Sequence, residues 1–352
     1  MRAATFHARR DIRIEDVPHP GALKAGLVRV RPIYCGICGT DLHEYTDGPI
    51  VVPVDPHPLT GAAAPQILGH EFAATVLEIP AGVDSVAVGD LVSIMPLISC
   101  GECGPCRRAD NHLCRQMACT GLSWPGGGLS DEVLVPSYQV FRLPKGVSAL
   151  QGALVEPAAV AAHGVDRARL RPGNSVLIAG GGPIGVLAAL YAQAAGAACI
   201  IVSEPNEYRR AFLERLDLGH VIDPGAAGFR ESLLDLTDGL GADIAVECSA
   251  TEAGLSAVVD GVRTRGKISQ VALHVRPAMI DPMLLCQMSL TIEGIWCYPT
   301  DDWPRIMSLI STGRFPVERV VSHEIPLESA VQDGFDELCS PASTAVKVLI
   351  KI

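Results

Sequence analysis

The sequence predicts an α/β protein of two domains: a compact, largely antiparallel β domain and a doubly wound parallel sheet of six strands. Three observations carry this prediction. A chain of 352 residues, 48% apolar and 19% charged, is too long for one ordinary core and has enough apolar material for two. As far as residue 150 it is rich in Gly and Pro, with short runs of β type. From Asn174 onward, β-type runs alternate instead with helical stretches, as in strands joined by crossover helices.

In the first region the runs are "LVRVRPIYC", "ATVLEI", "DLVSIMPL" and "DEVLVPSYQVFRLP", separated by turns such as "AGVDSVAVGD". In the second, "SVLIAG", "CIIVSE", "HVIDP", "DIAVECS", "KISQVAL" and "LTIEGIW" read as strands. Between them "PIGVLAALYAQAAG", "EYRRAFLERLDLG", "FRESLLDLTDGLG" and "EAGLSAVVDGVRTRG" read as helices. Right-handed crossovers in that order build a doubly wound sheet. Beyond Pro299 the tail holds one helix, "DDWPRIMSLISTG", and a closing strand, "AVKVLIKI", which returns to the first domain. The expected division is residues 1–156 with 298–352, and residues 157–297.

The turn that leaves the first strand of the parallel sheet carries Gly180, Gly182 and Gly185 as G-x-G-x-x-G, with Pro183 and Ile184 opening the helix. The pattern is weak alone. Ending a strand and beginning a helix, it is the Rossmann dinucleotide fingerprint. The first glycine permits the tight turn, the second admits the pyrophosphate, and the third lets helix and strand approach. The next strand ends at Glu204, a carboxylate placed to accept hydrogen bonds from the adenosine ribose and to repel a 2′-phosphate. NAD is the expected cofactor; Arg209 and Arg210, just beyond, are the feature that would suit NADP.

Cys100, Cys103, Cys106 and Cys114 lie at spacings of two, two and seven intervening residues. Four thiolates in one loop suit a tetrahedral Zn²⁺ whose coordination is closed, so the role is structural. Buried thiols and an iron–sulfur cluster are the competing readings. A second, scattered group consists of Cys35, Cys38, Thr40, Asp41 and His43 in "YCGICGTDLHEY", His70 and Glu71 in "ILGHEF", and Glu156 in "ALVEPAAV". A thiolate, an imidazole and a carboxylate can hold Zn²⁺ and leave a position open for an alcohol. Singly, Cys38 and His70 read as core residues and Glu156 as a charge at a helix N-terminus. His57 and His163 read as structural or lining groups, and Cys119, Cys199, Cys248, Cys286, Cys297 and Cys339 as buried thiols.

"GHE", the four-cysteine loop, "VEP" and "GGGPIG", in this order, resemble the zinc-dependent medium-chain alcohol dehydrogenases over essentially the whole chain. The segment "HEYTDGPI…HPLTG" is most similar to the 2,3-butanediol dehydrogenases, with sorbitol, other polyol and threonine-type dehydrogenases as relatives. The resemblance implies a GroES-like catalytic domain beside the NAD-binding Rossmann domain. It also implies two zincs per chain, one catalytic and one structural. Cys38, His70 and Glu156 would be ligands of the catalytic zinc, and Glu71 an alternate ligand or a supporting group. Asp41 would orient His70, and Thr40 and His43 would relay the proton. The implied reaction interconverts 2,3-butanediol and acetoin, or related vicinal diols and acyloins, with NAD. Two departures stand out: "GGLSDEV", with Asp131 and Glu132, where relatives often read "GGFAEY", and Pro80 in "LEIPAG".

A formal net charge of −11 without clustered Lys and Arg argues against a nucleic-acid partner. The uncharged stretch from Ser175 to Ser203 is long enough to span a bilayer, but "AGGGPIG" interrupts it, so no membrane is expected. Twelve cysteines without a secretion signal favour thiols and metal sites in the cytoplasm. Apolar strands of the parallel domain, and the resemblance, point to a homodimer or homotetramer.

Overall fold

The computed structural model describes residues 1–352, and the chain divides into two compact units. The first comprises Met1–Glu156, Pro299–Thr312 and Val321–Ile352; the second comprises Pro157–Tyr298 and Gly313–Val320. Two points differ from the expected division: Tyr298 falls in the second unit, and residues 313–320 join that unit and not the tail of the first. There Phe315, fully buried, packs on Tyr191 with ring centroids 5.5 Å apart, and Arg319 donates to the Leu216 carbonyl. Burial of a large aromatic side chain outweighs chain proximity in deciding which core the segment joins.

The spine of the first unit is the strand Leu27–Gly36. From Arg29 to Gly36 it pairs antiparallel with Glu71–Glu78 on one edge; on the other, its first half pairs with Val133–Pro136 and its end with Val348–Lys351. The sheet extends through Leu91–Ile94 and Val140–Arg142 on one side and through His323–Pro326 on the other. A three-stranded sheet of Asp11–Asp16, Arg2–Ala8 and Gln66–Ile67 accompanies it. Val28 and Val30 are buried while Arg31 is exposed, the period-two pattern of a strand with one face on a core. That core holds Phe6, Phe72, Ile94, Leu129, Val348 and Ile350. The closing strand thus returns to the first domain as expected, opposite Cys35 and Gly36.

The two departures prove to be structural. Asp131 accepts from the Arg2 amide at 2.6 Å and from its guanidinium at 2.7 Å, and Glu132 lies 3.5 Å from Arg29. Pro80 falls beyond the strand Glu71–Glu78, where no ladder bond is lost.

The second unit is a parallel six-stranded sheet in the order His220–Ile222, Cys199–Ser203, Ser175–Ala179, Ala242–Glu247, Val262–Gln270, Thr291–Gly294. The order reverses between Ser175–Ala179 and Ala242–Glu247, so the crevice outside their carboxyl ends is the dinucleotide position of this topology. Both strands are almost wholly buried, which explains their continuous apolar runs. The uncharged stretch is strand, 12-residue helix (Pro183–Ala194) and strand, and no helix of the structure is long and apolar enough to cross a membrane. Asn206, Thr251 and Asp281 cap the helices Glu207–Leu216, Glu252–Gly261 and Pro282–Met288. The last of these helices was not expected from the sequence, although Asp281 followed by Pro282 is a helix-start signal. It has no buried residue, and it carries Cys286, which is exposed and not the buried thiol expected.

Replacing Phe315 with Ala should remove an aromatic anchor from the second unit. The expected loss is about 3–5 kcal/mol, read as a lower urea midpoint with an unchanged slope.

Candidate active site and metal centres

The four-cysteine loop brings its sulfurs together. Cys103 and Cys106 Sγ are 3.4 Å apart, Cys100 and Cys106 3.9 Å, and Cys103 and Cys114 4.0 Å. These spacings are far longer than the roughly 2.05 Å of a disulfide. They match the edges of a tetrahedron with arms of about 2.3 Å, the Zn–S distance. Backbone amides already stabilise thiolate: Cys100 N donates to Cys114 Sγ at 3.3 Å and Cys103 N to Cys100 Sγ at 3.3 Å. Backbone hydrogen bonding, from Arg115 above all, draws Cys103 down to about 6. Loss of solvent and the neighbouring Cys103 thiol push Cys106 up to about 12, so ionising all four thiols calls for a cation among them.

The second constellation is assembled by the sheet register. Gly36 pairs with Glu71 at the ends of two adjacent antiparallel strands, so the chain leaving one strand at Cys38 meets the chain entering the other at His70. Ligand atoms of Cys38, His70 and Glu71 lie within 4.8 Å of one another. Cys38 is the N-cap of the helix Gly39–Asp47, and its amide donates to Asp41 Oδ2 at 3.0 Å. The other Asp41 oxygen stands 3.4 Å from His70 Nδ1, at ion-pair distance but without hydrogen-bond geometry. Burial works against an imidazolium at His70, yet Asp41 and Cys38 prevail and hold it well above the ordinary histidine range. Loss of solvent pushes the Cys38 thiol upward. A soft thiolate, an imidazole and a carboxylate in reach of one point form a donor set that suits Zn²⁺.

Glu156 lies outside this group. It stands in the first turn of the helix Val155–Arg167, and its charge acts on Cys119 and Lys347, two groups that also feel Cys38. The structure therefore gathers three of the four expected donors and leaves the fourth nearby. Thr40 and His43 occupy one half-buried stripe of the helix Gly39–Asp47, three residues apart, while Asp41 and Glu44 on its inner side are fully buried.

Sequence reasoning missed Lys347. Its ammonium is 1% exposed, pairs with the equally buried Glu71 Oε2, and donates to the Ile37 carbonyl at 2.9 Å. Burial disfavours its charge, but Glu71 outweighs that and holds Lys347 above the usual lysine value. A lone lysine in the apolar run "AVKVLIKI" was the available signal. Gly36 makes room for the pair, since a Cβ there would fall 2.1 Å from Glu71 Oε2.

In the second unit the fingerprint has the geometry its glycines require. Gly180 turns at φ +97°, and a Cβ on Gly185 would stand 1.8 Å from the Gly180 carbonyl. Gly182 is the N-cap of Pro183–Ala194, with Pro183 at its first position and Ile184 next, and space beside the glycine is open for a pyrophosphate. Glu204 is 3% exposed; its carboxylate accepts from Gly181 N at 2.6 Å and Asn206 N at 2.8 Å. Each of its oxygens keeps a further lone pair. Arg210 is held by the Glu204 and Pro205 carbonyls at 3.0 and 2.6 Å, and Arg209 donates its amide to the Asn206 cap.

Two mutational contrasts follow from this geometry. Cys103→Ser should lower zinc content by one equivalent and destabilise the fold by about 4 kcal/mol, whereas Cys38→Ser should lose the other equivalent and leave the urea midpoint nearly unchanged. Lys347→Met should cost about 3–5 kcal/mol by stranding a buried carboxylate. Adding Glu71→Gln should recover most of that loss in the same unfolding assay.

Residues 24–145 match the alcohol dehydrogenase GroES-like domain, and residues 183–312 match the zinc-binding dehydrogenase family. The chain is 36% identical over 352 residues to the (R,R)-butanediol dehydrogenase of Bacillus subtilis (strain 168), covering 100% of this chain and 99% of the relative. It is 31% identical over 344 residues to the L-threonine 3-dehydrogenase of Pyrococcus furiosus, covering 96% and 94%. The crystal structure of 2R,3R-butanediol dehydrogenase from Bacillus subtilis superposes with a TM-score of 0.92 at 35% identity, over 100% of this chain and 99% of that one. A zinc-binding dehydrogenase from Sinorhizobium meliloti 1021 bound to NADP superposes with a TM-score of 0.86 at 28% identity, over 100% and 99%. Matched in both of its halves and along its full length, this chain belongs to the zinc-binding alcohol dehydrogenase family.

Proposed function

We propose that this enzyme interconverts 2,3-butanediol and acetoin, and related vicinal diols and acyloins, using NAD. The observation that carries the reading is the convergence of Cys38, His70 and Glu71 within ligand distance, supported by the likeness to butanediol dehydrogenases along the whole chain. Two zincs per chain are proposed, one held by Cys100, Cys103, Cys106 and Cys114. Cys38 and His70 would hold the other, with Glu71 or Glu156 as its carboxylate. When bound, that zinc supplies a Lewis acid for the alcohol oxygen and the dinucleotide supplies the hydride acceptor.

The chain's own residues do the rest. Asp41 lies against the Nδ1 side of His70 and orients the ring. Thr40 and His43 share one helix face and form a path for the hydroxyl proton, with His43 as the general acid or base of the pair. Gly180, Gly182, Pro183, Ile184 and Gly185 seat the pyrophosphate at a helix N-terminus. Glu204 takes the adenosine ribose and disfavours a 2′-phosphate, with Arg209 beside it at the start of the next helix.

The metal-like spacing of the four thiols fits a reducing compartment, and the cytoplasm is the location we propose. A homodimer or homotetramer is proposed on the edge strand Thr291–Gly294. Its outer edge is unpaired, and Leu273, Val275, Met279, Met283 and Trp296 of the same unit are exposed.

NADH formation should be measured with separate (R,R), (S,S) and meso 2,3-butanediol, sorbitol, xylitol and threonine, each with NAD⁺ and NADP⁺. The expected result is preference for a butanediol isomer with NAD⁺, by at least about tenfold in kcat/KM, equivalent to roughly 1.4 kcal/mol. Higher kcat/KM on threonine or sorbitol would replace the butanediol reading with an amino-alcohol or polyol one.

A further inference from the structure

The second unit holds a buried polar cluster that the proposed chemistry does not use. Glu247 ends the strand Ala242–Glu247 beside Ala179, at the point where the strand order reverses, and is fully buried. Its Oε1 accepts from Ser249 N at 2.7 Å and from the Ser249 hydroxyl. Its Oε2 accepts from Gln270 Nε2 at 2.6 Å and lies 3.2 Å from His274 Nε2. The backbone is gathered onto the same residue. The amides of Val271 and Ala272 donate to the Glu247 carbonyl at 3.1 and 3.0 Å, and Gln270 Nε2 also donates to the Ala272 carbonyl at 2.8 Å. The chain leaving Val262–Gln270 is thus clamped, by main chain and side chains, to one buried carboxylate.

This clamp fixes the histidine. Glu247 engages the ring at Nε2, which leaves Nδ1 as the ring nitrogen outside the clamp. The imidazole is 16% exposed, at the carboxyl end of the sheet, whereas Glu247 behind it is inaccessible. The fingerprint and Glu204 place the adenosine half over Ser175–Ala179 and Cys199–Ser203. The other half of a dinucleotide must then cross the switch point toward Ala242–Glu247 and Val262–Gln270. The groups it presents there, a carboxamide and ribose hydroxyls, both donate and accept, so an imidazole nitrogen can hydrogen-bond them. We propose that His274 is a binding residue for the nicotinamide riboside half of the cofactor, with Glu247 as the residue that positions it. This inference rests on the dinucleotide reading above and assigns the cofactor's second half to named side chains.

The test compares NADH, titrated by its fluorescence, with ADP, titrated by calorimetry, on the intact zinc-loaded protein. His274→Ala should raise the Kd for NADH by about tenfold and leave the Kd for ADP within about twofold of wild type. His274→Gln, whose amide keeps both a donor for Glu247 and an acceptor, should fall between. Unchanged NADH affinity in His274→Ala would overturn the proposal. Equal weakening for NADH and ADP would also overturn it, because the histidine would then be structural. A wild-type protein that binds neither ligand would instead remove the dinucleotide reading itself.

Discussion

The first unit is organised around a buried ion pair. Glu71 and Lys347 are far apart in the sequence, both about 1% exposed, and joined where the closing strand lies beside Leu27–Gly36. Burying two charges is costly, and similar apolar residues would often serve stability as well or better. What the pair provides is position. Glu71 is held by Lys347 while its neighbour His70 lies against Asp41, so both side chains are fixed by the fold itself. Gly36 is the sequence's concession to that arrangement, because any side chain there would displace the carboxylate. The last strand thus completes the sheet and also supplies the counter-charge for a group assembled from residues 38 to 71.

The two thiol-containing centres differ in how locally they are specified. Cys100 to Cys114 need only one loop to fold, and the backbone amides that stabilise their thiolates come from the loop itself. Cys38, His70 and Glu71 depend on strand register. A slip of one residue between Leu27–Gly36 and Glu71–Glu78 would turn Glu71 to the opposite face and break the ion pair. The first group is therefore specified by one loop, and the second by the sheet around it.

Local signals account for what was legible in the sequence. The central strands of the second unit were readable because buried parallel strands are continuous apolar runs, and the fingerprint because its glycines answer steric demands within a few residues. The four cysteines were readable for the same reason. What escaped depended on distant partners. Phe315 gave no hint that it would draw residues 313–320 onto Tyr191. Lys347 was hidden because its counter-charge lies in another strand, and Glu247 because Gln270 and His274, which surround it, follow the next crossover. Proximity of Cys38 to His70 was suggested by family resemblance; the register supplies its physical basis.

The first unit gathers more potential negative charge than it balances. Asp41, Glu71, Glu156 and Cys38 are four potential anions in one poorly solvated region, and Lys347 is the one permanent positive charge set among them. Burial pushes the Cys38 thiol up, and Asp41 with Cys38 holds His70 above its ordinary value against the cost of burial. A divalent cation bound among such groups would take the place of their protons. Lys347 limits the alternatives: a carboxylate engaged by an ammonium is a weaker donor than a free one. Glu71 is engaged in this way, whereas Glu156 stands outside the group formed by Cys38, His70 and Glu71.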